Sequence, residues 1–203
     1  MSIWIKICGL TSTEAVEAAV QAGADAIGFV FAESPRKISV RWARELTRDV
    51  PSTVGRVAVM RHPTQEAWAE VALGFKPDWL QTDAEDFANL QIGSDVRRLP
   101  VYRDKPDLKV DAVATQQRIL FEGPVSGQAQ QADWIRAKSL AGVTQLVLAG
   151  GLDARNVGDA IRQVRPWGVD VSSGVERSRG EKDPEKIATF IGAVREMERS
   201  DAG

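Results

Sequence analysis

Residues 146–174 read LVLAGGLDARNVGDAIRQVRPWGVDVSSG, which joins two short apolar runs through a glycine pair and a longer amphipathic segment. The runs at 146–149 and 169–171 predict buried strands, because each is short, apolar and rich in branched side chains. The three- and four-residue spacing of apolar residues in 157–164 predicts a helix between them. A strand–helix–strand unit of this kind is typical of a parallel α/β sheet.

The same alternation runs along the whole chain. Thr11 and Glu14 stand at capping-box spacing before the first predicted helix, and Gly23 can terminate that helix. The segment 103–113 carries Pro106 and many charges, so any helix there is expected to be short or broken. Strands are predicted at 4–8, 26–31, 54–60, 79–81, 99–102, 118–121, 146–149 and 169–171, and helices at 15–22, before Pro51, and at 64–73, 133–140, 157–164 and 184–197.

Eight strand–helix pairs in 203 residues lie at the lower size limit of the (β/α)8, or TIM, barrel. The competing α/β architecture is an open doubly wound sheet. No G-x-G-x-x-G follows the first strand, so the dinucleotide-binding fingerprint of that architecture is absent. No stretch has a linker-like composition. We therefore expect one (β/α)8 barrel domain spanning residues 1–203.

The composition narrows the class of protein. Hydrophobic residues make up 43% of the chain and charged residues 27%, with a formal net charge of −2, so a disordered chain and a basic nucleic-acid binder are both excluded. No apolar run approaches the length of a membrane span, and the N-terminal residues lack a signal-peptide core. We expect a cytoplasmic protein with no nucleic-acid or membrane partner.

The chain has one cysteine, Cys8, and one histidine, His62. A lone cysteine cannot form an internal disulfide, which fits a reducing compartment. The two residues do not have zinc-ligand spacing, so we expect no metal, although counting residues leaves a carboxylate-only Mg²⁺ site open. His62 is expected to lie in the loop after the third strand. The six tryptophans are scattered and are interpreted as packing residues.

In (β/α)8 barrels the active site is built from the carboxyl ends of the strands and the loops that follow them. This rule selects a thiol, two carboxylates, an amide and an arginine: Cys8, Glu122, Asp170, Gln81 and Arg36. A thiol with a pKa near neutrality is a competent general base, and an acid and a base facing one pocket can move a proton along a carbon skeleton. An arginine can bind a carboxylate bidentately. The alternatives are a buried apolar cysteine and solvated loop charges.

The loops after the seventh and eighth strands indicate a phosphate site. Glycines let backbone N–H groups approach an anion closely, and neighbouring serines add hydroxyl donors. Barrels of this type often bind phosphate at these two loops. Either loop alone could be a tight turn, but together they favour phosphate binding by Gly150, Gly151, Ser172, Ser173 and Gly174.

Several longer motifs resemble one known family. They are KICGLT at 6–11, GADAIGFVF at 23–31, SPR at 34–36, LAGGL at 148–152 and VDVSSGVE at 169–176. In this order they closely resemble phosphoribosylanthranilate isomerase. The resemblance covers both ends of the chain, while residues 60–130 match only loosely.

The resemblance implies a reaction and roles for individual residues. The reaction is the Amadori rearrangement of N-(5′-phosphoribosyl)anthranilate to 1-(2-carboxyphenylamino)-1-deoxyribulose 5-phosphate in tryptophan biosynthesis, with no cofactor. Cys8 would be the general base, Arg36 would bind the anthranilate carboxylate, and loops seven and eight would bind the phosphate. Gln81 and Asp170 would also contact the substrate. The expected partner is therefore a phosphorylated small molecule, and a monomer is compatible with the sequence.

This chain departs from the family pattern in two places, after the sixth strand and after the fourth. The family's general acid is an aspartate that closes the sixth strand, whereas this chain has Glu122, whose extra methylene moves the carboxyl by about 1.5 Å. The following loop reads SGQA at 126–129 instead of a glycine-rich turn, and we expect a retracted backbone there to compensate. After strand four the family has Gln-Leu-His-Gly, and this chain has Asp83 in place of the histidine.

Two other functions stay open at this point. A phosphate-binding lyase or decarboxylase would need a Schiff-base lysine or an Asp–Lys array, and Lys6 lies on the same face of its strand as Cys8. A barrel that binds phosphate without catalysis is the second alternative, favoured only by Glu122 and its altered loop. A pure binding protein would have little need to keep Cys8, Arg36 and Asp170 together.

Overall fold

The computed structural model describes residues 2–125 and 131–200. Eight parallel strands form a closed barrel in chain order, and the first strand pairs with both the second and the eighth. The expected (β/α)8 architecture is therefore confirmed. The strands are Trp4–Cys8 (β1), Ala26–Val30 (β2), Gly55–Val59 (β3), Trp79–Asp83 (β4), Arg97–Arg103 (β5), Arg118–Glu122 (β6), Gln145–Leu148 (β7) and Gly168–Val171 (β8).

Two of the expected eight helices are replaced by 3₁₀ turns. Ala84–Ala88 follows β4, where the expectation of a full strand–helix pair was wrong. Val110–Ala112 follows β5, where the expectation of a short or broken helix is confirmed. Gly93 and Pro106 interrupt the two segments and limit the length of any helix. No helix of the described residues is both long and apolar enough to span a bilayer. The α-helices are Thr13–Ala22 (α1), Val40–Leu46 (α2), Gln65–Phe75 (α3), Trp134–Ala141 (α4), Val157–Val164 (α5) and Pro184–Ser200 (α6).

The start of α1 differs from the predicted capping box. Ser12, and not Thr11, is the N-cap, and its hydroxyl accepts a hydrogen bond from the backbone N–H of Ala15 at 3.3 Å. The carbonyl of Thr11 instead accepts a bond from the indole of Trp42. At the other end Gly23 adopts a left-handed φ of 94° and terminates the helix, as expected.

The barrel wall separates two apolar layers, which follow from the alternation of side chains along each strand. On β1, Ile5 and Ile7 face the helices and belong to the larger core cluster. Lys6 and Cys8 therefore face the barrel interior, where both are buried. Interior packing is completed by a smaller set of residues: Ala26, Val57, Trp79, Leu99, Val101, Leu120, Val147 and Ala149.

The amino ends of the strands are closed by aromatic rings and arginines, which we call the floor cluster: Trp4, Trp79, Trp167, Arg97 and Arg118. The ring centroids of Trp4 and Trp167 lie 5.2 Å apart, and those of Trp4 and Trp79 lie 5.8 Å apart. The guanidinium of Arg118 lies 3.7 Å from the ring of Trp167. The carboxyl ends of the strands form the opposite end of the barrel, which we call the mouth.

Candidate active site

A cavity of about 260 Å³ opens at the mouth of the barrel. It is lined by all five residues that the strand-end rule selected: Cys8, Arg36, Gln81, Glu122 and Asp170. A larger cavity of about 730 Å³ lies outside the barrel beside α3, next to Trp68 and Lys76, and contains none of them. The mouth therefore brings together the predicted chemistry from five different strands and loops.

Cys8 stands at the end of β1, beside the ammonium of Lys6. The Nζ atom of Lys6 lies 2.7 Å from Oδ1 of Asp170 and is fully buried. Gly28 on β2 provides the space for this arrangement, because a Cβ there would lie 3.2 Å from both the Cys8 sulfur and the Lys6 nitrogen. The thiol, the ammonium and the carboxylate thus form a compact triad at one side of the cavity.

Burial and neighbouring charges set the protonation states of Cys8 and Lys6 in this triad. Burial raises the pKa of the Cys8 thiol above its ordinary value, and the nearby Lys6 charge lowers it by less. Burial thus moves the pKa of this thiol away from the near-neutral range that suits a general base. Burial would lower the pKa of Lys6, but the Asp170 carboxylate raises it above its ordinary value. The resting site holds a neutral thiol beside a charged ammonium.

Glu122 ends β6 on the other side of the cavity, where Arg103 contacts it. Nε of Arg103 lies 3.3 Å from Oε1 of Glu122, and its Nη2 lies 2.6 Å from Oδ1 of Asp83. Asp83 and Arg103 were not predicted as site residues. The strand-end rule would have selected both, but β4 and β5 extend to Asp83 and Arg103, beyond the predicted ends at 81 and 102. The altered loop at 126–129 lies outside the described residues.

His62 lies in the loop after β3, as expected, and approaches the same group of charges. Its Nε2 lies 3.2 Å from Oδ2 of Asp83, and its Nδ1 lies 3.0 Å from Oδ1 of Asp86. Among the described residues these three form the one group that could hold a cation, with ligand atoms within 4.8 Å of one another. Each ring nitrogen faces a different carboxylate, so the imidazole already contacts both carboxylates without an ion.

Arg36 is buried and paired with Glu176, a residue that the sequence analysis quoted only within a motif. Nε and Nη2 of the guanidinium lie 2.6 and 2.9 Å from the two carboxylate oxygens. Lys182 adds a third contact at 2.8 Å. Burial alone would raise the pKa of Glu176, but the bonds from Arg36 and Lys182 lower it to about 2. The remaining N–H groups of Arg36 are the ones available to a ligand carboxylate.

Gln81 contributes an unused acceptor. Its side chain is buried at the end of β4, and Oε1 has no hydrogen-bond partner among the described residues. Buried polar atoms are normally bonded, so an exception beside a cavity indicates a group that a ligand satisfies. A hydroxyl or amine donor of a bound ligand fits this position.

The two phosphate-loop candidates lie next to each other, as predicted. Gly150 and Gly151 adopt φ values of 87° and 67°, which side chains rarely tolerate. A Cβ at Gly174 would lie 2.0 Å from the carbonyl oxygen of Leu152, so only glycine allows the loops to approach so closely. The hydroxyl of Ser172 donates to the Cys8 carbonyl at 3.0 Å, so this donor is already engaged within the protein.

Ser173 begins a short 3₁₀ turn, Ser173–Val175, in the second of these loops. Lys182 crosses beneath it and donates to both the carbonyl and the hydroxyl oxygen of Ser172. These bonds hold the loop after β8 against the end of β1. The loop predicted to bind phosphate is therefore held in place by Lys182 and by the bond from Ser172 to Cys8.

Comparison with known proteins extends over nearly the whole chain. Residues 5–193 match the family described as N-(5′phosphoribosyl)anthranilate (PRA) isomerase. The N-(5′-phosphoribosyl)anthranilate isomerase of Listeria welshimeri is 36% identical over 201 residues, which cover 96% of this chain and 99% of the relative. Solved structures are similar as well.

The phosphoribosyl anthranilate isomerase of Thermus thermophilus has a TM-score of 0.86 at 25% identity, covering 96% of this chain and all of the other. A phosphoribosyl anthranilate isomerase in complex with reduced 1-(o-carboxyphenylamino)-1-deoxyribulose 5-phosphate has a TM-score of 0.83 at 31% identity, with the same coverage. The sequence and fold similarities therefore agree with each other.

Proposed function

Because the chain belongs to the N-(5′-phosphoribosyl)anthranilate isomerase family, it isomerises N-(5′-phosphoribosyl)anthranilate in tryptophan biosynthesis, and we propose that the cavity at the mouth is where this happens. The resemblance-based expectation of this function is confirmed by the family match. The related structure with a reduced carboxyphenylamino-deoxyribulose phosphate supports a phosphorylated small molecule as the ligand. Which residues of this chain act on it is part of the proposal.

The substrate has an aromatic carboxylate at one end and a phosphate at the other, and the mouth offers a site for each. Arg36 would bind the carboxylate through the N–H groups that Glu176 leaves unused. The phosphate would bind to the backbone of Gly150, Gly151 and the Ser173–Val175 turn. The unused acceptor of Gln81 would receive a hydrogen bond from the sugar or the anthranilate nitrogen. This places the ribose between Cys8 and Glu122.

Two proton transfers, one from Glu122 to the substrate and one from the substrate to Cys8, account for the rearrangement. Glu122 protonates the furanose ring oxygen, and the carbon–oxygen bond of the ring breaks to give a Schiff base. Cys8, as the thiolate, then removes the proton at C2′, and the electron pair moves to give an enolamine. The enolamine tautomerises to the ketone product. General acid–base catalysis of this type contributes roughly 10² to 10⁴ in rate.

The raised pKa of Cys8 shapes this mechanism. Only a small fraction of the free enzyme carries the thiolate at neutral pH, so the reactive form depends on what stabilises that anion. The Lys6 ammonium faces the sulfur and lowers its pKa relative to an equally buried thiol without it. Asp170 holds Lys6 at 2.7 Å. We therefore assign Asp170 to the positioning of Lys6 as well as to the predicted substrate contact.

The same contacts argue against the lyase alternative. A Schiff-base lysine must lose its proton to attack a carbonyl, and burial usually lowers the pKa of such a lysine. In this site the pKa of Lys6 is raised, and its ammonium is bound to Asp170.

We also propose that residues 1–203 form a single domain. The cytoplasmic location expected from the sequence also stays part of the proposal.

The observation that carries the proposal is that Cys8 and Glu122 line the same cavity as the paired Arg36. The test is a fluorescence assay of the consumption of N-(5′-phosphoribosyl)anthranilate by the purified wild-type protein, with no metal or cofactor added. We expect turnover that Cys8→Ser and Glu122→Gln each strongly reduce. Full turnover in either variant would overturn the role of that residue, and a wild-type protein without turnover would support the binding-only alternative.

A further inference from the structure

We propose that Asp83 and Arg103 are positioning residues for Glu122: Arg103 orients the carboxyl, and Asp83 neutralises the arginine so that the carboxyl can still carry a proton. This inference rests on the proposed function of Glu122 as the general acid. Glu122 and Asp83 are also the two positions where this chain departs from the family pattern, and one arginine joins them.

The barrel register places the three residues in a row on adjacent strands. Arg103 ends β5, pairs with Glu122 at the end of β6, and lies beside the end of β4, where Asp83 is found. The side chains are 3%, 16% and 13% exposed for Asp83, Arg103 and Glu122. Because all three are largely withdrawn from water, their charges are weakly screened and act strongly on one another.

The two contacts of Arg103 are unequal. Its Nη2 lies 2.6 Å from Asp83, whereas its Nε lies 3.3 Å from Glu122. Burial would lower the pKa of Arg103, but the hydrogen bond and charge of Asp83, followed by the charge of Glu122, raise it. The arginine therefore stays charged, and Asp83 is its closer counter-ion.

This inequality resolves a conflict in the site. A general acid must hold a proton before it can donate one, and an uncompensated arginine beside a carboxyl favours the ionised form. With Asp83 as the closer partner, Arg103 fixes the orientation of Glu122 without acting on it as a full positive charge. The longer glutamate side chain has more rotamers than aspartate, so such a restraint matters more here.

Other charged groups surround the trio. His62 and Asp86 adjoin Asp83, and the charge of Glu85 acts on Arg103. The backbone N–H of Asp104 donates to the Glu122 carbonyl. Arg136 pairs with Asp104, and the cavity is also lined by Glu33, Arg61, Cys8, Asp170, Arg36 and Arg179. These groups are present in every variant below, so differences between variants report on Asp83 and Arg103.

The experiment is a carbon-13 NMR titration of the full-length protein labelled at the glutamate side-chain carboxyls, with the Glu122 signal assigned by its loss in Glu122→Gln. Asp83→Asn keeps an oxygen for Arg103 but removes the counter-charge, so the pKa of Glu122 should fall. Arg103→Met removes the positive charge, so that pKa should rise. The two variants should therefore shift one signal in opposite directions.

Steady-state kinetics complete the test. Arg103→Met should lower kcat by about tenfold to a hundredfold through misorientation of the acid, with little change in KM. Asp83→Asn should lower kcat at neutral pH about tenfold for each unit by which the pKa of Glu122 falls. Arg97→Met is the matched control, because Arg97 lies on the same strand but at the floor. It should change neither kcat nor the pKa of Glu122.

Shifts in the same direction, or shifts no larger than those in Arg97→Met, would overturn the inference. If Arg103→Met does not fold by circular dichroism, the Asp83→Asn shift decides alone, and a rise or no change there overturns it. The failure of the proposed function gives a different result: Glu122→Gln would then keep wild-type turnover whatever the titrations show.

Discussion

The mouth and the floor of this barrel both bury charge, but they compensate it in different ways. At the mouth each buried cation faces a carboxylate: Lys6 faces Asp170, Arg36 faces Glu176, and Arg103 faces Asp83. At the floor Arg118 lies over the ring of Trp167 and donates to Gln145. Ion pairs keep charge available for chemistry, whereas an arginine against aromatic rings mainly contributes packing.

The pKa directions follow this difference. Burial lowers the pKa of Arg118, and the nearby charge of Arg97 lowers it further. Carboxylate partners raise the pKa of Arg36 and of Arg103 despite burial. We therefore expect substitutions at the mouth to alter catalysis more than stability. Substitutions at the floor should alter stability more than catalysis.

Cys8→Ser should lower kcat by roughly 10² to 10⁴ because a hydroxyl is a far weaker base than a thiolate. The free energy of unfolding should change by less than about 1 kcal/mol, since the two side chains have nearly the same shape. The measurements are steady-state kinetics and urea unfolding. A loss of stability comparable to the loss of transition-state stabilisation would break the division between the two ends.

Trp79→Ala is the counterpart at the floor. It should lower the free energy of unfolding by about 3 to 5 kcal/mol, because a buried ring that packs against Trp4, Arg97 and Arg118 is lost. The kcat of the folded fraction should stay within about threefold of the wild type, since the ring lies at the floor, at the opposite end of the barrel from the cavity. A catalytic loss above that with unchanged stability would contradict the comparison.

Arg36→Lys tests the proposed carboxylate site. A lysine cannot bind Glu176 and a ligand carboxylate at the same time with planar N–H pairs. We expect KM to rise about tenfold to a hundredfold with a smaller change in kcat, consistent with the loss of one charged hydrogen bond. Arg41→Lys on the exposed face of α2 is the control and should leave KM unchanged. An unaltered KM in Arg36→Lys would place the anthranilate elsewhere.

The pH dependence of the free energy of unfolding below about pH 5 should also differ between a mouth variant and a floor variant, although by a smaller amount. The pKa of Glu176 is lowered from 4.5 to about 2, so its ion pairs stabilise the folded protein above pH 4.5. That contribution should disappear as the pH falls from about 4.5 towards 2, and Glu176→Gln should flatten this part of the stability curve. Trp79→Ala should lower the whole curve without changing its slope. Urea unfolding at several pH values measures the free energy of unfolding of both variants. If Glu176→Gln shows the same slope with pH as the wild type, Glu176 is not the group that causes the loss of stability in acid.

Much of the fold could be predicted from sequence because strand and helix periods differ. The alternation in residues 146–174 recurs along the chain and leads directly to a closed parallel barrel. The short 3₁₀ turn after β5 agrees with the prediction made from Pro106 and the charges of 103–113, whereas the 3₁₀ turn after β4 could not be predicted in this way. The cap of α1 was misplaced by one residue, from Ser12 to Thr11, because both side chains are suitable acceptors.

The site was partly predictable for a related reason. Cys8, Arg36, Gln81, Glu122 and Asp170 were selected because the carboxyl ends of barrel strands meet. Contacts between neighbouring strand ends depend on the register and on the exact end of each strand, which short apolar runs do not define. The link from Asp83 through Arg103 to Glu122 was therefore missed.

The pKa of Cys8 and the hydrogen-bond partner of Ser172 could not be predicted from the sequence, because both depend on how the folded chain buries these side chains. The sequence shows a cysteine at a strand end but not how far the fold removes it from water, so the direction of its pKa shift could not be predicted. The hydroxyl of Ser172 is engaged by the Cys8 carbonyl, a contact across 164 positions of sequence. Such contacts follow from closure of the barrel between β8 and β1.

The central claim is that Cys8 removes the C2′ proton at the mouth, and a kinetic isotope effect tests it most directly. Wild-type protein and Cys8→Ser are assayed with substrate carrying hydrogen or deuterium at C2′. The account predicts a clear isotope effect on kcat in Cys8→Ser, larger than in the wild type, because weakening the base makes proton removal limiting. An isotope effect of one in a slowed Cys8→Ser would show that the lost step is a different one and would contradict the account.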